Sequence, residues 1–401
     1  MIAHKNLRKY LFIPALIVGL VFPTQTSAAP KPIAVKTLIK WGESADIELF
    51  AATADAVVTV KNLTTNSSNI EIQARDFAGT SLWTKTIDSG ADEVATAISL
   101  DGQGNIWLAG NSAALAVADT ATAIGGALNP DNVAAETIAP LRQDMRQLTV
   151  WKISKAGEVT ETFSTVPSEI SIVGAISVSA TGLSMIGTRE SGSFVISTNL
   201  KGLFTKELKI GTAKTKLNSI VRSSDGSINV FGSSSETLLG KKLAGREDGV
   251  LIKISKAGAI SSVVRSSAPK ALRSWTSATS ALLLTGSVKS GATTESAITK
   301  FTSSFAPTWT TRVPSTGNSL AAAGPNNSFY VALEPTAAIK GLAPYKFGKG
   351  QNLVLQFDSK GLLIGALSLL ELTQPKAMAF SPSGGLFILS ESGVFRVGAT
   401  K

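Results

Sequence analysis

Two stretches of this sequence interleave cations with other recognition groups. One carries Lys241, Lys242 and Arg246, and the other carries Lys340, Tyr345, Lys346, Phe347 and Lys349. Ammonium and guanidinium groups attract anions, and aromatic faces stack on planar or sugar rings. The chemistry on offer is capture of an anionic or sugar ligand. Glu247 and Asp248 offset part of the first stretch.

Catalysis has less to draw on. The chain has no cysteine, and its single histidine is His4. If the N-terminus is removed, the mature chain has no imidazole and no thiol. It cannot then assemble a Ser-His-Asp or Cys-His site, or a histidine-ligated zinc or haem site. Asp101-Gly102-Gln103-Gly104-Asn105 resembles a calcium loop but lacks the later acidic ligands and closing Glu. It reads as a tight turn. No phosphate-cradling or dinucleotide fingerprint is present. Asp and Glu are sparse, and no facing pair can be nominated for glycoside hydrolysis. No catalytic residue, metal ligand or cofactor is assigned.

The N-terminus predicts export. His4, Lys5, Arg8 and Lys9 precede an apolar run from Tyr10 to Phe22, and Thr26-Ser27-Ala28 supplies small residues for cleavage. Residues 1–28 are read as a signal peptide, and 29–401 as one domain. The apolar run is shorter than the roughly 20 residues a spanning helix needs. No transmembrane segment is expected after cleavage. Without cysteine, disulfides cannot staple the exported fold. Losing Lys5, Arg8 and Lys9 takes the formal charge from +10 to about +7. A basic secreted surface suits anionic envelope polymers or acidic glycans. Nucleic acid is not expected in that compartment.

The elements that must position these residues are strands. Only 16% of residues are charged and 44% are hydrophobic, which excludes a disordered chain. Lys152-Ile153-Ser154-Lys155-Ala156-Gly157 recurs as Lys253-Ile254-Ser255-Lys256-Ala257-Gly258, each time after an apolar strand. Looser copies start at Ile70, Ser193, Ala297 and Asn352. Each follows a second pattern of strand, polar turn and apolar strand often ending in Gly, as in AISLDGQGNIWLAG from Ala97. About seven such units, each with strands a to d, predict a seven-bladed β-propeller of four-stranded antiparallel blades. Strand b is continuously apolar, so it is buried on both faces. Strand d alternates and carries Trp83, Phe163, Phe204 and Trp309. The last unit stops before its strand d, while an orphan strand from Ile33 to Trp41 precedes the first strand a. Pairing of the two would close the ring and remove two edges.

The segment from Val230 to Gly258 resembles the bacterial SBBP-type β-propeller repeat, through Gly232-Ser233, Gly240, Asp248-Gly249 and Gly258. The stretch from Gly104 to Gly110 is similar to repeats of other extracellular bacterial propellers. The resemblance implies fold and location and brings no catalytic residue.

In such a blade the b–c and d–a connections share one face, where long unequal loops carry functional variation. The two basic stretches are b–c loops. Lys214, Lys216, Lys270 and Arg273 join them from d–a turns. The longest b–c loop, about 111–147, is predicted to hold a short helix over 132–138, followed by Arg142, Asp144 and Arg146, and could cap the channel. The resulting expectation is an extracytoplasmic binding module for an anionic polymer, a glycan or a protein. A secreted polysaccharide lyase or hydrolase, or a passive envelope component, is the alternative.

Overall fold

The computed structural model describes residues 32–64, 67–114 and 145–397. The expected signal peptide lies outside these residues, as do the 132–138 helix, Arg142 and Asp144. Among the described residues the fold is all β, with one 3₁₀ turn at Pro325–Asn327.

Two short strands come first, β1 (Val35–Thr37) and β2 (Ile39–Gly42). A four-stranded sheet follows as β3 (Leu49–Ala52), β4 (Val57–Thr64), β5 (Ser68–Arg75) and β6 (Ser81–Ile87). The next comprises β7 (Glu93–Leu100), β8 (Ile106–Ser112), β9 (Gln147–Ile153) and β10 (Val159–Thr165). A third comprises β11 (Ser171–Ser179), β12 (Gly182–Arg189), β13 (Gly192–Thr198) and a three-residue β14 (Leu208–Ile210). The fourth is β15 (Thr215–Arg222), β16 (Ile228–Ser234), β17 (Asp248–Ile254) and β18 (Ile260–Ser266). Then come β19 (Leu272–Ala278), β20 (Leu283–Ser290), β21 (Thr293–Phe301) and the long β22 (Pro307–Ala323). β23 (Phe329–Pro335), β24 (Gln351–Phe357) and β25 (Leu363–Thr373) follow. β26 (Pro375–Ser381), β27 (Gly385–Ser390) and β28 (Gly393–Arg396) are the last strands among the described residues and take β2 as a fourth strand.

The expected seven separate four-stranded blades are corrected by this topology. Five sheets have four strands, and the strands from β19 to β25 form one continuous eight-stranded sheet with β1. β22 is the cause. Its first half pairs with β21 through Pro314, and its second half pairs with β23 from Ser315 onward. Between them the chain only bends, at a register shift containing Gly317 (φ +100°). No separate turn interrupts the pairing there, so one sheet runs on into the next.

The orphan N-terminal segment also does more than one job. β1 pairs parallel with β25, and β2 pairs antiparallel with β28. Leu38 sits between them, 2% exposed, with its N–H donating to Ser368 O at 3.1 Å. The innermost strands touch in a closed circle: β3, β7, β11, β15, β19, β22 and β26, which returns to β3.

The core lies between sheets. Every residue of β8, β13, β16 and β27 is buried. Clusters span neighbours, as where Trp107, Leu148 and Val150 meet Val173, Met185 and Phe194. Buried hydroxyls pair across strands, for example Ser184 with Ser197 at 2.8 Å and Ser112 with Thr149 at 2.7 Å. Small polar side chains that pair in this way fit a close-packed interior at little cost.

The Gly that ends each b pattern has a specific cause. Gly110, Gly187, Gly232 and Gly286 each pair with the residue just before a bulge in strand a. The bulge pushes the strand-a backbone toward the glycine. A Cβ at Gly232 would lie 1.9 Å from Lys216 O. Gly232→Ala is therefore expected to lower stability by about 3 kcal/mol, the upper range of overpacking. Urea denaturation of the purified variant checks this, and a loss below about 1 kcal/mol contradicts it.

Candidate functional site

The blade-four loop, between β16 and β17, is built around Asp248. This carboxylate is fully buried and accepts from Ala244 N at 3.0 Å, Gly245 N at 2.8 Å and Ser267 Oγ. Arg265, its side chain 8% exposed, pairs with it at 3.0 Å. The same guanidinium donates to Lys241 O at 3.1 Å and to Glu236 O. Burial pushes the Asp248 pKa up, but the bonds from Ser267, Ala244, Gly245 and Arg265 outweigh it and hold it below the ordinary value. Leu238 and Lys241 close a tight turn through reciprocal backbone bonds, with Leu239 and Gly240 at positive φ. That turn holds Lys241 and Lys242 outward, both exposed. Lys241 shares a shallow pocket with Leu239 and with Ile260 to Val263 of β18, the edge strand of its sheet.

The blade-six loop, between β23 and β24, is organised differently. Tyr345 and Phe347 pack at 5.1 Å between ring centroids. The Tyr345 hydroxyl accepts from Gln351 Nε2 at 2.8 Å, and Gln351 Oε1 accepts from Gly348 N at 2.9 Å. Phe347 packs against the core of the eight-stranded sheet. The aromatics therefore serve the loop's own structure, while Lys340, Lys346 and Lys349 are exposed. A parallel bridge from Ile33 to Leu342 ties this loop to the N-terminal segment. Among the described residues no hydrogen bond, ion pair or ring contact joins the two loops.

What the fold does bring together is the end of the blade-four loop and the start of β19. Arg246 N donates to Ala271 O at 2.8 Å, and Arg273 N donates to Glu247 O at 2.9 Å. Beside this contact opens a cavity of about 340 Å³ lined by Glu247, Arg273, Ser287, Lys289, Thr294 and Asn318. Of these, Glu247 lies in the connection before β17, while Arg273, Ser287, Lys289, Thr294 and Asn318 stand on β19 to β22. The Arg273 guanidinium lies 4.6 Å from the Trp275 ring centroid. Its Nε is buried with no partner, and so is Trp275 Nε1. Burial, helped by the nearby Arg312 charge, lowers Arg273 to about 10. Arg312 itself pairs with Glu295 at 3.1 Å, whereas no carboxylate is paired with Arg273 among the described residues. A half-buried guanidinium with an unsatisfied donor attracts an anion strongly, because little water competes. Sequence reasoning placed Arg273 on this face but missed Lys289 and the cavity. Lys289 falls in a strand with no charge pattern, so no signal singled it out.

A larger cavity, about 570 Å³, is acidic instead and includes Asp88, Ser89, Glu93, Thr149 and Trp151. Glu93 is 1% exposed; Ser89 donates to its Oε1, while Oε2 is buried without a partner. Burial raises its pKa, and the neighbouring Asp88 and Asp92 add to that. A raised acid stabilises the fold below its unfolded pKa and loses this as pH rises through the folded value. Glu93→Gln should therefore be more stable than the parent at pH 7, with the gap closing toward pH 4. Thermal melts across that range test it, and a constant gap contradicts it.

A closed circle of antiparallel sheets defines a β-propeller, and this chain is one. No family model matches it, and no curated protein does either. Solved structures do. A streptogramin B lyase structure superposes with a TM-score of 0.50 at 11% identity, over 90% of this chain and 96% of that one. The WD40 domain of a coronin from Toxoplasma gondii gives 0.51 at 12% identity, over 92% and 90%. Identities this low speak for the fold alone.

Proposed function

We propose that this chain is an exported propeller that binds an anionic polymer of the cell envelope on its b–c face. The Arg273 cavity takes an acidic group of the ligand, with Lys289 also in its lining. Lys241, Lys242, Lys340, Lys346 and Lys349 raise the local concentration of polyanion by longer-range attraction. Tyr345 and Phe347 hold the blade-six loop in place. The observation that carries the reading is the buried, unpartnered Nε of Arg273 beside an open cavity. The N-terminal basic and apolar segments support export.

Binding of dextran sulfate to the mature protein, followed by calorimetry across a salt series, tests the reading. Lys289→Glu is expected to weaken binding about tenfold at low salt, equivalent to roughly 1.4 kcal/mol. Joint reversal of Lys241, Lys242 and Lys346 should weaken it less and flatten the salt dependence. Unchanged affinity in Lys289→Glu, or no binding at any salt, overturns the proposal.

A further inference from the structure

A recurrent device closes the gaps between neighbouring sheets. Each c–d turn has the same form, with a carbonyl at its second residue and usually a positive-φ glycine at its fourth. In four of the six turns among the described residues an aromatic from the preceding strand d covers it. Trp83 lies over Gly157, where a Cβ would meet the ring at 2.6 Å, and its Nε1 donates to Lys155 O at 2.9 Å. Trp309 covers Gly361 and donates to Ser359 O at 3.1 Å. Trp41 donates to Phe77 O at 2.9 Å in the first such turn. Phe163 covers Gly202 without a hydrogen bond. At the Thr302–Phe305 turn the turn's own Phe305 is buried against Phe231, and Lys253 Nζ donates to Ser303 O at 3.4 Å.

One turn is left uncovered. Ser255–Gly258 repeats the Ser154–Gly157 sequence, and Gly258 keeps φ +80°. A Cβ there would meet nothing within 4 Å. The preceding strand d is the truncated β14, and Phe204 has moved aside to bridge Thr198 through its backbone. A cavity of about 440 Å³ opens in its place, lined by Phe204, Lys206, Arg222, Ile228, Lys256 and Gly258. Arg222 is already engaged with Ser179, Ser184 and Thr181. Lys206 and Lys256 are the cations left at the rim. Leu203, 71% exposed, forms an apolar lip.

We propose that this vacant slot between the third and fourth sheets binds a tryptophan side chain of a partner polypeptide, flanked by acidic residues. The indole stacks on the open face of Gly258 and donates to Lys256 O, as Trp83 does to Lys155 O. Lys206 and Lys256 meet the flanking carboxylates, and Leu203 packs against the incoming chain. The slot is independent of the Arg273 cavity.

The probe is a blocked Asp-Trp-Glu tripeptide carrying 5-fluorotryptophan, titrated with mature protein and followed by fluorine NMR. Saturable binding is expected. A phenylalanine counterpart, assayed by competition, should bind about three- to tenfold more weakly, the worth of one hydrogen bond. Lys206→Trp places an indole four residues after Gly202, the spacing of Gly79 to Trp83 and of Phe305 to Trp309. It should refill the slot, raise the melting temperature and reduce probe binding at least tenfold. Leu203→Asp, at an exposed position, should weaken the probe without lowering the melting temperature and leave dextran sulfate binding intact. No saturable binding at millimolar probe, or binding that neither variant changes, overturns the proposal.

Discussion

Replacing Asp248 with alanine will cost this protein about 3–5 kcal/mol, the price of stranding one member of a buried ion pair. The residue is fully buried and its partner Arg265 is 8% exposed. Removing the carboxylate leaves a guanidinium without its counter-charge. It also orphans Ala244 N and Gly245 N, which hold the loop against β17. Asp248→Asn keeps the volume and an acceptor and should recover part of the loss. The pH dependence follows from sign. An acid whose folded pKa is lowered contributes stability above its unfolded pKa and loses it as pH falls through the folded one. The parent should therefore lose stability in acid over a range where Asp248→Ala does not. Denaturant titrations of all three proteins between pH 7 and pH 3 decide it. Equal slopes in parent and alanine variant would show that the pair does not carry the loop.

This pair also shows where sequence legibility ended. Asp248-Gly249 was visible as a repeat feature, but its role was hidden because Arg265, Ala244 and Ser267 lie at positions that only folding brings together. The strand pattern itself was plain. Continuous apolar runs became fully buried strands, and the turn glycines took positive φ. The terminal Gly of each b strand was visible too, yet its reason, a bulge in the neighbouring strand, has no signature in composition. The number of separate sheets was misjudged at β22, because seven apolar units do not reveal whether pairing is interrupted between two of them. At the candidate site, exposed lysines were read correctly as loop residues. The structural part that Tyr345 plays was hidden, because the Gln351 contact that employs it comes from the following strand. The cavity gathers residues from four strands and one loop, and neither it nor the unsatisfied Nε of Arg273 is encoded in a one-dimensional pattern.

The segment 32–42 is the second place where a single change should have a large effect. Deleting it is expected to destabilise the protein by more than about 5 kcal/mol, which is most of the stability of a typical domain. Three losses combine. Leu38, buried at 2% exposure, leaves a core shared with Val354, Leu372 and Phe395, and truncating such a residue alone costs about 2–5 kcal/mol. Trp41 leaves its edge contact with Phe387 and its bond to Phe77 O, which ties the last sheet to the first. The edges of β25 and β28 are then both bared, and unpaired edges invite association between chains. The two breaks are separable. Leu38→Ala should lower stability without changing the oligomeric state of the parent, because both strands still pair. The full deletion should in addition form soluble oligomers at high concentration, and a synthetic peptide of residues 32–42 supplied in trans should reverse this. Light scattering with and without the peptide makes the comparison. A deletion protein that keeps the oligomeric state of the parent and melts within a few degrees of it would mean that the circle of inner strands holds without its outer closure.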